Sequence, residues 1–324
     1  MAWIGPALTH QDDDVRTNAA NIMVTMAAPV PDAAALAALV ALPVRDERVR
    51  RIVVAAAKGG GGLLGVGTAM AGTALGVLFV EAALARRAIG PRRAVPPYVD
   101  GRYPPTSGGV GKGTSLRLVV LGDSAAAGLG VEDPEQTPGV IIARGVAEAA
   151  DRPVMLTSVA VVGARTKDLA DQVTRALHIQ PQVAVLMIGA NDVTHRDRPQ
   201  KSVRLLVESV ERLRANGSQV VVGTCPDLGT VRPVAQPLRA YMRRASRELA
   251  QAQAVAVAEA GGRPVRLADL LGSYFQESPE DYFSADRFHP SATGYAACAG
   301  ALLPEVLIAL GLRDPASTLV PLTD

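Results

Sequence analysis

Apolar runs alternate with helix-forming stretches over residues 116–312, and this alternation limits the fold more than any other feature. The runs are nearly continuous, as expected for parallel strands that are buried on both faces. The pattern predicts an α/β fold: a doubly wound, flavodoxin-like parallel sheet of about five strands with helices on both faces. The predicted strands are Leu116–Leu121, Val154–Val162, Val183–Ile188, Val220–Val222 and Val265–Leu267.

Helix-start signals stand between these runs. Thr137 followed by Pro138 is typical of an N-cap with proline in the first turn. Asp197 and Pro199 predict the start of another helix, and Ser291 predicts the cap of the last one. Each predicted helix follows a predicted strand, as the doubly wound fold requires.

Composition divides the chain into five segments, of which only one is patterned as a folded domain. Pro and Gly dominate the stretch before that domain, which is the composition of a linker. The segments are a poorly ordered N-terminal extension (1–58), a transmembrane helix (59–84), a Pro/Gly-rich linker (85–115), the α/β domain (116–312) and a C-terminal tail (313–324).

Residues 59–80 carry no charged side chain over 22 positions. At about 1.5 Å rise per residue, that length crosses a bilayer core. Thr68, Gly72 and Gly76 are spaced by four, and such a small-residue stripe allows close packing of membrane helices, including those of a homo-oligomer. A buried Gly/Ala-rich helix and an unstructured leader are the alternatives. Basic residues flank both ends equally, so the charge rule for orientation does not choose a side.

Charge and composition exclude some classes of function. The net charge is +2 and aromatic residues make up 3% of the chain, which argues against a nucleic-acid-binding surface with basic patches and stacking rings. Cys225 and Cys298 have no neighbouring cysteine or histidine cluster, so a disulfide framework and a zinc site are not indicated. We expect two small buried thiols.

Four short polar patches carry the candidate chemistry. Three of them come at or after the ends of predicted strands, and the carboxyl ends of parallel strands meet at one edge of a sheet. We therefore expect the patches to form one site. They are Gly122-Asp123-Ser124, Gly163, Gly189-Ala190-Asn191-Asp192 and Asp286-Arg287-Phe288-His289-Pro290.

Ser124 is the candidate nucleophile and His289 the candidate base. A serine hydroxyl is a weak nucleophile until a base takes its proton. Of the four histidines, only His289 has a carboxylate three residues earlier, at Asp286, together with a proline directly after it. That carboxylate can orient the imidazole and stabilise its protonated form. The alternatives are a turn capped by Ser124 and a solvated Asp-x-x-His turn.

Gly163 and Asn191 are candidate oxyanion donors, with the backbone amide of Ser124 as the third. An oxyanion needs donors that are in place before its charge develops. Glycine lets the backbone approach closely, and an Asn amide reaches further than a backbone N–H. A tight turn at Gly163 and an Asx-turn at Asn191 are the alternatives. We assign Asp123 and Asp192 to hydrogen bonds that brace the loops.

In this order, the four patches resemble the four conserved blocks of the SGNH (GDSL-type) hydrolases over residues 116–312. The resemblance implies the SGNH hydrolase fold, a Ser124–Asp286–His289 triad and an oxyanion hole of Ser124, Gly163 and Asn191. It also implies hydrolysis of carboxylic esters without a metal or cofactor. One departure is Ala125, where leucine is commonest in the family, and it affects packing more than chemistry.

The resulting hypothesis is a membrane-anchored serine esterase that acts on short-chain acyl esters through an acyl-serine intermediate. We expect the catalytic domain on the outer, cell-envelope side, with a cytoplasmic location as the alternative. The expected partners are a small-molecule or lipid ester and the membrane. An acyltransferase or deacetylase of envelope glycans or lipids, and an inactive membrane-anchored binding protein, are the competing functions. The irregular segment Asp227–Pro237 is predicted to form a wall of the acyl pocket.

Overall fold

The computed structural model describes residues 95–106 and 113–315, which form one α/β sandwich of helices around a sheet. The strands are β1 (Gly101–Tyr103), β2 (Leu116–Gly122), β3 (Val154–Ser158), β4 (Val183–Met187), β5 (Gln219–Gly223) and β6 (Arg263–Val265). The helices are α1 (Pro138–Ala150), α2 (Leu169–Ile179), α3 (Ala190–Thr194), α4 (Pro199–Ala215), α5 (Leu238–Glu259), α6 (Leu267–Glu277), α7 (Pro279–Tyr282) and α8 (Ala292–Ala309).

The order of the strands confirms the predicted doubly wound fold. The sheet runs β1-β3-β2-β4-β5-β6, and its last five strands are parallel. Read along the chain, the parallel strands have the flavodoxin-like order, with the topological switch beside β2. The carboxyl end of β2 is therefore where a ligand site is expected.

The sheet is buried on both faces, which explains the continuous apolar runs of its strands. On one face Leu118, Val120 and Val185 pack with residues of α1 and α8. On the other face Val119 and Leu186 pack with residues of α2 and α4. Alternate residues of the same strand thus enter different cores, and neither face is available to water.

An edge strand was not predicted. Residues 101–103, which fall in the predicted linker, form β1 and pair antiparallel with β3. Tyr103 fixes this strand, because its hydroxyl donates to the carbonyl of Val99 at 2.7 Å and its ring lies under the guanidinium of Arg144. A strand of three residues in a Pro/Gly-rich stretch is too short to show an alternating pattern, so tertiary contacts decide its conformation.

Two predicted strand boundaries were wrong. The run Val154–Val162 forms a strand only to Ser158, because the neighbouring β2 ends soon afterwards at Gly122, and Val161 is an exposed loop residue. The segment predicted as Val265–Leu267 is instead β6 (Arg263–Val265), and Leu267 is the first residue of α6. Leu267 is buried in either case, so its apolar character did not distinguish a strand from a helix.

The predicted caps of two helices are confirmed. The Thr137 hydroxyl accepts from the Val140 amide at 3.4 Å, and the Ser291 hydroxyl accepts from the Gly294 amide at 3.2 Å. Helix α4 does begin at Pro199, but Asp197 makes an ion pair with Arg165 at 3.2 Å rather than capping the helix.

Among the described residues, α8 is the one helix long and apolar enough to cross a membrane, with a mean hydropathy of 1.4. Its residues Cys298, Ala299, Leu302 and Val306 are part of the core against the sheet, so the fold itself accounts for its apolar character. The uncharged run 59–80, and with it the small-residue stripe, lies outside the described residues, as do segments 1–58 and 59–84.

The core on the α2/α4 face makes a testable contribution to stability. Leu206 of α4 is fully buried there, so Leu206→Ala should lower the free energy of unfolding by about 2–5 kcal/mol. Urea denaturation measures this change. Gly300→Ala is the control: it lies on the exposed side of α8 with nothing near the added methyl group, and it should raise stability by about 0.5–1 kcal/mol. Equal stability of Leu206→Ala and wild type would contradict the described packing.

Candidate active site

Ser124 follows directly from the end of β2, in a turn that only glycine permits. Gly122 has φ 137°, and a Cβ atom there would lie 2.0 Å from the carbonyl oxygen of Met187 on β4. The next amide, of Asp123, donates to that same oxygen at 3.2 Å. Because the ends of β2 and β4 approach this closely, the chain turns out of the sheet after Gly122 and places Ser124 at its edge.

The structure brings Ser124, His289 and Asp286 together in one chain of contacts. The Ser124 Oγ lies 3.0 Å from the His289 Nε2, and the His289 Nδ1 lies 2.6 Å from the Asp286 Oδ2. Because a carboxylate can only accept, we assign the proton to Nδ1, which leaves Nε2 free to accept from the serine hydroxyl. This orientation suits a base that removes the serine proton.

Asp286 is held as an anion by the loop that carries it. Its Oδ1 accepts from the Ser284 hydroxyl and from the amides of Phe288 and His289, at 2.8–2.9 Å. Burial alone raises the pKa of this carboxyl, but the hydrogen bonds from the His289 side chain and from the two amides outweigh it and lower the pKa well below its usual range. The carboxylate is therefore charged at any physiological pH.

Two contacts place the His289 loop against the Ser124 turn. Gly130 has φ 118°, and a Cβ atom there would lie 2.7 Å from the carbonyl oxygen of Pro290 and 3.0 Å from the Cβ of His289. The hydroxyl of Tyr295, fully buried on α8, donates to the Leu129 carbonyl at 2.6 Å. Glycine at 130 lets the two loops approach, and Tyr295 ties the segment after the Ser124 turn to α8, which follows the His289 loop.

The candidate oxyanion donors follow three adjacent strands. Ser124 comes after β2, and Gly163 and Asn191 come after β3 and β4, which pair with β2 on either side. Among hydrogen bonds within the described residues, the amides of Ser124 and Gly163 have no acceptor. The Asn191 Nδ2 donates one of its two hydrogens to the Ala164 carbonyl at 3.0 Å, which leaves the other unused. Asn191 lines the same pocket as Ser124. Gly163 (φ 81°) directly precedes Ala164 in the chain, so the hydrogen bond from Asn191 to Ala164 holds Gly163 near Asn191.

Asp192 links the loop of Gly163 to helix α4. It is 2% exposed, accepts from the Thr166 amide at 3.1 Å and accepts from the Ser202 hydroxyl at 2.7 Å. Burial raises its pKa, and these hydrogen bonds oppose the rise. These contacts agree with the loop-bracing assignment made from the sequence.

Asp123 is a buried carboxyl beside the triad. It is 3% exposed and accepts from the Ala125 amide at 2.9 Å. Burial raises its pKa to about 6, against the opposing effects of that amide and of His289. The amides of Ala125 and Ala126, which interact with its side chain, both belong to the turn that carries Ser124, so it too braces a loop.

An apolar pocket with a cavity volume of about 100 Å³ contains Ser124 in its lining. The predicted wall segment contributes only its first part, through Asp227, Leu228, Thr230 and Val231. The other apolar walls were not anticipated from the sequence. They come from α6, α8 and the loop before His289: Leu267, Leu271, Phe275, Phe283, Phe288 and Cys298. Two of the chain's four phenylalanines, Phe283 and Phe288, stand within six residues of His289, and that clustering was a usable signal.

Cys225 and Cys298 are free, buried thiols, as predicted, and burial raises the pKa of both. Burial raises the pKa of Cys298 to about 12, which keeps it protonated. Within residues 95–106 and 113–315, no group of three or more His, Cys, Asp or Glu side chains is arranged to hold a metal ion.

Comparison with known proteins finds similarity to one family. The model of the GDSL-like Lipase/Acylhydrolase family matches residues 120–297. The chain is 42% identical over 272 residues to the GDSL-like esterase Rv1075c of Mycobacterium tuberculosis (strain ATCC 25618 / H37Rv), covering 82% of this chain and 84% of that protein.

Similar solved structures share less of the sequence. TesA is 21% identical, with 61% of this chain and 99% of that chain covered at a TM-score of 0.47. The lipase/acylhydrolase from Enterococcus faecalis is also 21% identical, with 61% and 97% covered at a TM-score of 0.45.

The raised pKa of Asp123 predicts a pH-dependent loss of stability. Its folded-state pKa of about 6 lies above the value of about 3.9 for an unfolded Asp. Between these two pH values the folded state therefore binds more protons than the unfolded state. Stability should therefore fall as the pH rises from about 4 through about 6. Asp123→Asn keeps an oxygen that can accept from the Ala125 amide but does not titrate. The difference in unfolding free energy between this variant and wild type should therefore increase in favour of the variant as the pH rises from about 4 to about 6.

Unfolding free energies of both proteins at several pH values measure this effect. Glu211→Gln, on an exposed position of α4, is the control and should show no such trend. A constant difference between Asp123→Asn and wild type would contradict the assigned burial cost.

Proposed function

Because the chain belongs to the GDSL-like lipase/acylhydrolase family and is a carboxylic ester hydrolase, we propose that it cleaves short-chain acyl esters through an acyl-serine intermediate. The single observation that carries this proposal is the continuous contact from Ser124 Oγ to His289 Nε2 and from His289 Nδ1 to Asp286. A serine hydroxyl aligned with a base that is itself oriented by a carboxylate is the arrangement nucleophilic catalysis requires.

In the acylation step, the Ser124 Oγ bonds to the ester carbonyl carbon and its proton passes to the His289 Nε2. The carbonyl electron pair moves onto the oxygen and gives a tetrahedral oxyanion. As the intermediate collapses, the bond to the alcohol oxygen breaks and His289 gives its proton to that oxygen. Asp286 stabilises the positive imidazolium between these two transfers.

The oxyanion is stabilised by the amides of Ser124 and Gly163 and by the free hydrogen of the Asn191 Nδ2. Within the described residues the two amide hydrogens and the second hydrogen of the Asn191 Nδ2 have no acceptor, so they are free to meet a developing charge. Asn191 donates to the Ala164 carbonyl, and Asp192 accepts from the Thr166 amide. These two bonds hold the loops of Gly163 and Asn191 in a fixed position relative to each other. Donors fixed in this way do not need to reorganise during the reaction.

In deacylation, water attacks the acyl carbon and His289 takes its proton. The carboxylic acid leaves, and the proton returns to Ser124. If an alcohol or sugar took the place of water, the same residues would transfer the acyl group, and product analysis with added acceptor alcohols separates these two outcomes. The acyl chain lies in the apolar pocket. Between Gly163 and Asn191 the described chain forms a single 3-10 turn (Thr166–Asp168), then α2 and then β4, with no inserted lid.

Replacement of the nucleophile tests this mechanism. Ser124→Ala should lower kcat for a short-chain 4-nitrophenyl ester by roughly 10⁴–10⁶-fold, since the oxyanion donors alone do not replace covalent catalysis. Steady-state kinetics measures the loss, and circular dichroism checks folding. A fluorophosphonate probe should label wild type at Ser124 and leave the variant unlabelled. Ser273→Ala, an exposed serine of α6, is the matched control and should keep wild-type kinetics.

Retention of a tenth of the wild-type kcat by Ser124→Ala would overturn the triad assignment. A wild-type protein without hydrolase activity on any acyl ester would instead support an inactive, anchored binding protein.

For location, we propose that residues 59–80 anchor the protein in a membrane, with the α/β domain on the envelope side. The support is their length without charge and the Pro/Gly-rich segment between them and β2. Removal of residues 1–89 should give a soluble enzyme with unchanged kcat/KM, since every proposed catalytic residue lies beyond 120. The full-length chain should stay with membranes through high-salt and carbonate washes. Release by carbonate would contradict the anchor.

A further inference from the structure

Four adjacent strands end in a row in which two positions have no side chain. One row of paired residues crosses β2, β4, β5 and β6, and it consists of Gly122, Met187, Gly223 and Val265. Gly223 faces the α8 side of the sheet, since it is two residues after Val221 of that core. The end of β5 therefore has no side chain of its own on this face, two strands away from the end of β2 that leads to Ser124.

The backbone does not account for the glycine at position 223. Gly122 has a positive φ that other residues rarely adopt, but Gly223 is an ordinary strand residue without one. Glycine weakens a strand interior, and it often marks a place where a ligand approaches the backbone closely. A Cβ atom at 223 would lie 2.9 Å from the Leu267 Cδ1 and 3.4 Å from both the Leu302 Cδ2 and the Met187 Cγ, so a larger residue there would have to displace Leu267.

Gly223 lies in the wall of the pocket that contains Ser124, with Leu267 packed over it. Gly223 and Ser124 both line it, together with Leu267 and Leu271 of α6 and Cys298 of α8. These walls are apolar, so a polyhydroxylated group would lose its hydrogen bonds to water there without replacement. A hydrocarbon chain loses nothing comparable and gains from burial.

We propose that Gly223 sets the depth of the acyl pocket and thereby the longest acyl chain that the enzyme accepts. This proposal rests on the proposed function, because it takes Ser124 as the point where the acyl carbon is attached. The occupant is a saturated hydrocarbon acyl chain that extends from the ester carbonyl towards Gly223. The alcohol part of the ester stays on the open side of the pocket.

Filling the floor of the pocket tests the proposal. The probes are 4-nitrophenyl esters of straight-chain acids from acetate to decanoate, and kcat/KM is measured for each. Gly223→Val adds its side chain where the Leu267 Cδ1 lies only 2.9 Å away, so Leu267 must shift into the pocket that it lines, and the chain length with the highest kcat/KM should become shorter. For longer chains, kcat/KM relative to acetate should fall at least about tenfold, the size of the effect of one misplaced methylene in an apolar pocket.

Two further variants keep the test decisive if Gly223→Val does not fold. Gly223→Ala adds one methyl group and should shift the profile in the same direction by a smaller amount. Leu271→Ala removes bulk from the α6 wall and should move the optimum towards longer chains. Gly300→Ala, the exposed glycine of α8, is the matched control and should leave the profile unchanged.

The outcomes separate this proposal from the proposed function. A folded Gly223 variant with the wild-type chain-length profile, or with an equal loss for every ester including acetate, would overturn the role of Gly223. The inactivity of Ser124→Ala would still stand in that case. If Ser124→Ala remained active, the proposed mechanism would fail whatever the profile of the Gly223 variants.

Discussion

Burial of the parallel strands on both faces is the constraint on which the site depends. With helices over each face, only the ends of the strands remain accessible, and parallel strands bring all their carboxyl ends to one edge. Ser124 and Asn191 follow β2 and β4 at that edge, and Gly163 lies in the loop that leaves β3. The packing that stabilises the domain is thus the same packing that assembles the candidate site.

Close approach of backbone segments then aligns the residues within that edge. The Met187 carbonyl against Gly122 directs the serine turn, and the Pro290 carbonyl against Gly130 brings the histidine loop to it. The contact of Ser124 with His289 joins residues 165 positions apart in the chain. Its geometry therefore depends on the whole domain, and Tyr295 ties α8, which follows the histidine loop, to the segment that follows the serine turn.

The pKa values of the two carboxyls beside Ser124 and His289 are shifted in opposite directions by their surroundings. Asp286 accepts several hydrogen bonds and has a lowered pKa, whereas Asp123 is more deeply buried and has a pKa raised to about 6. A charged Asp286 favours a protonated His289 during the reaction, and the costly burial of Asp123 braces the nucleophile turn. The enzyme gives up some stability at neutral pH to keep this turn in place.

The sequence by itself determined the α/β class, the parallel core strands, the helix caps at Thr137 and Ser291, and the identity of the family, because these features depend on local patterns and short motifs. Only the tertiary structure decided the edge strand β1, the boundary between β6 and α6, and the pocket behind Ser124. Leu267 illustrates the reason: its burial was evident, but its place in a helix at the pocket floor depends on packing against Gly223. Pocket walls join residues from α6, α8 and distant loops, and no local pattern specifies how such segments meet in space.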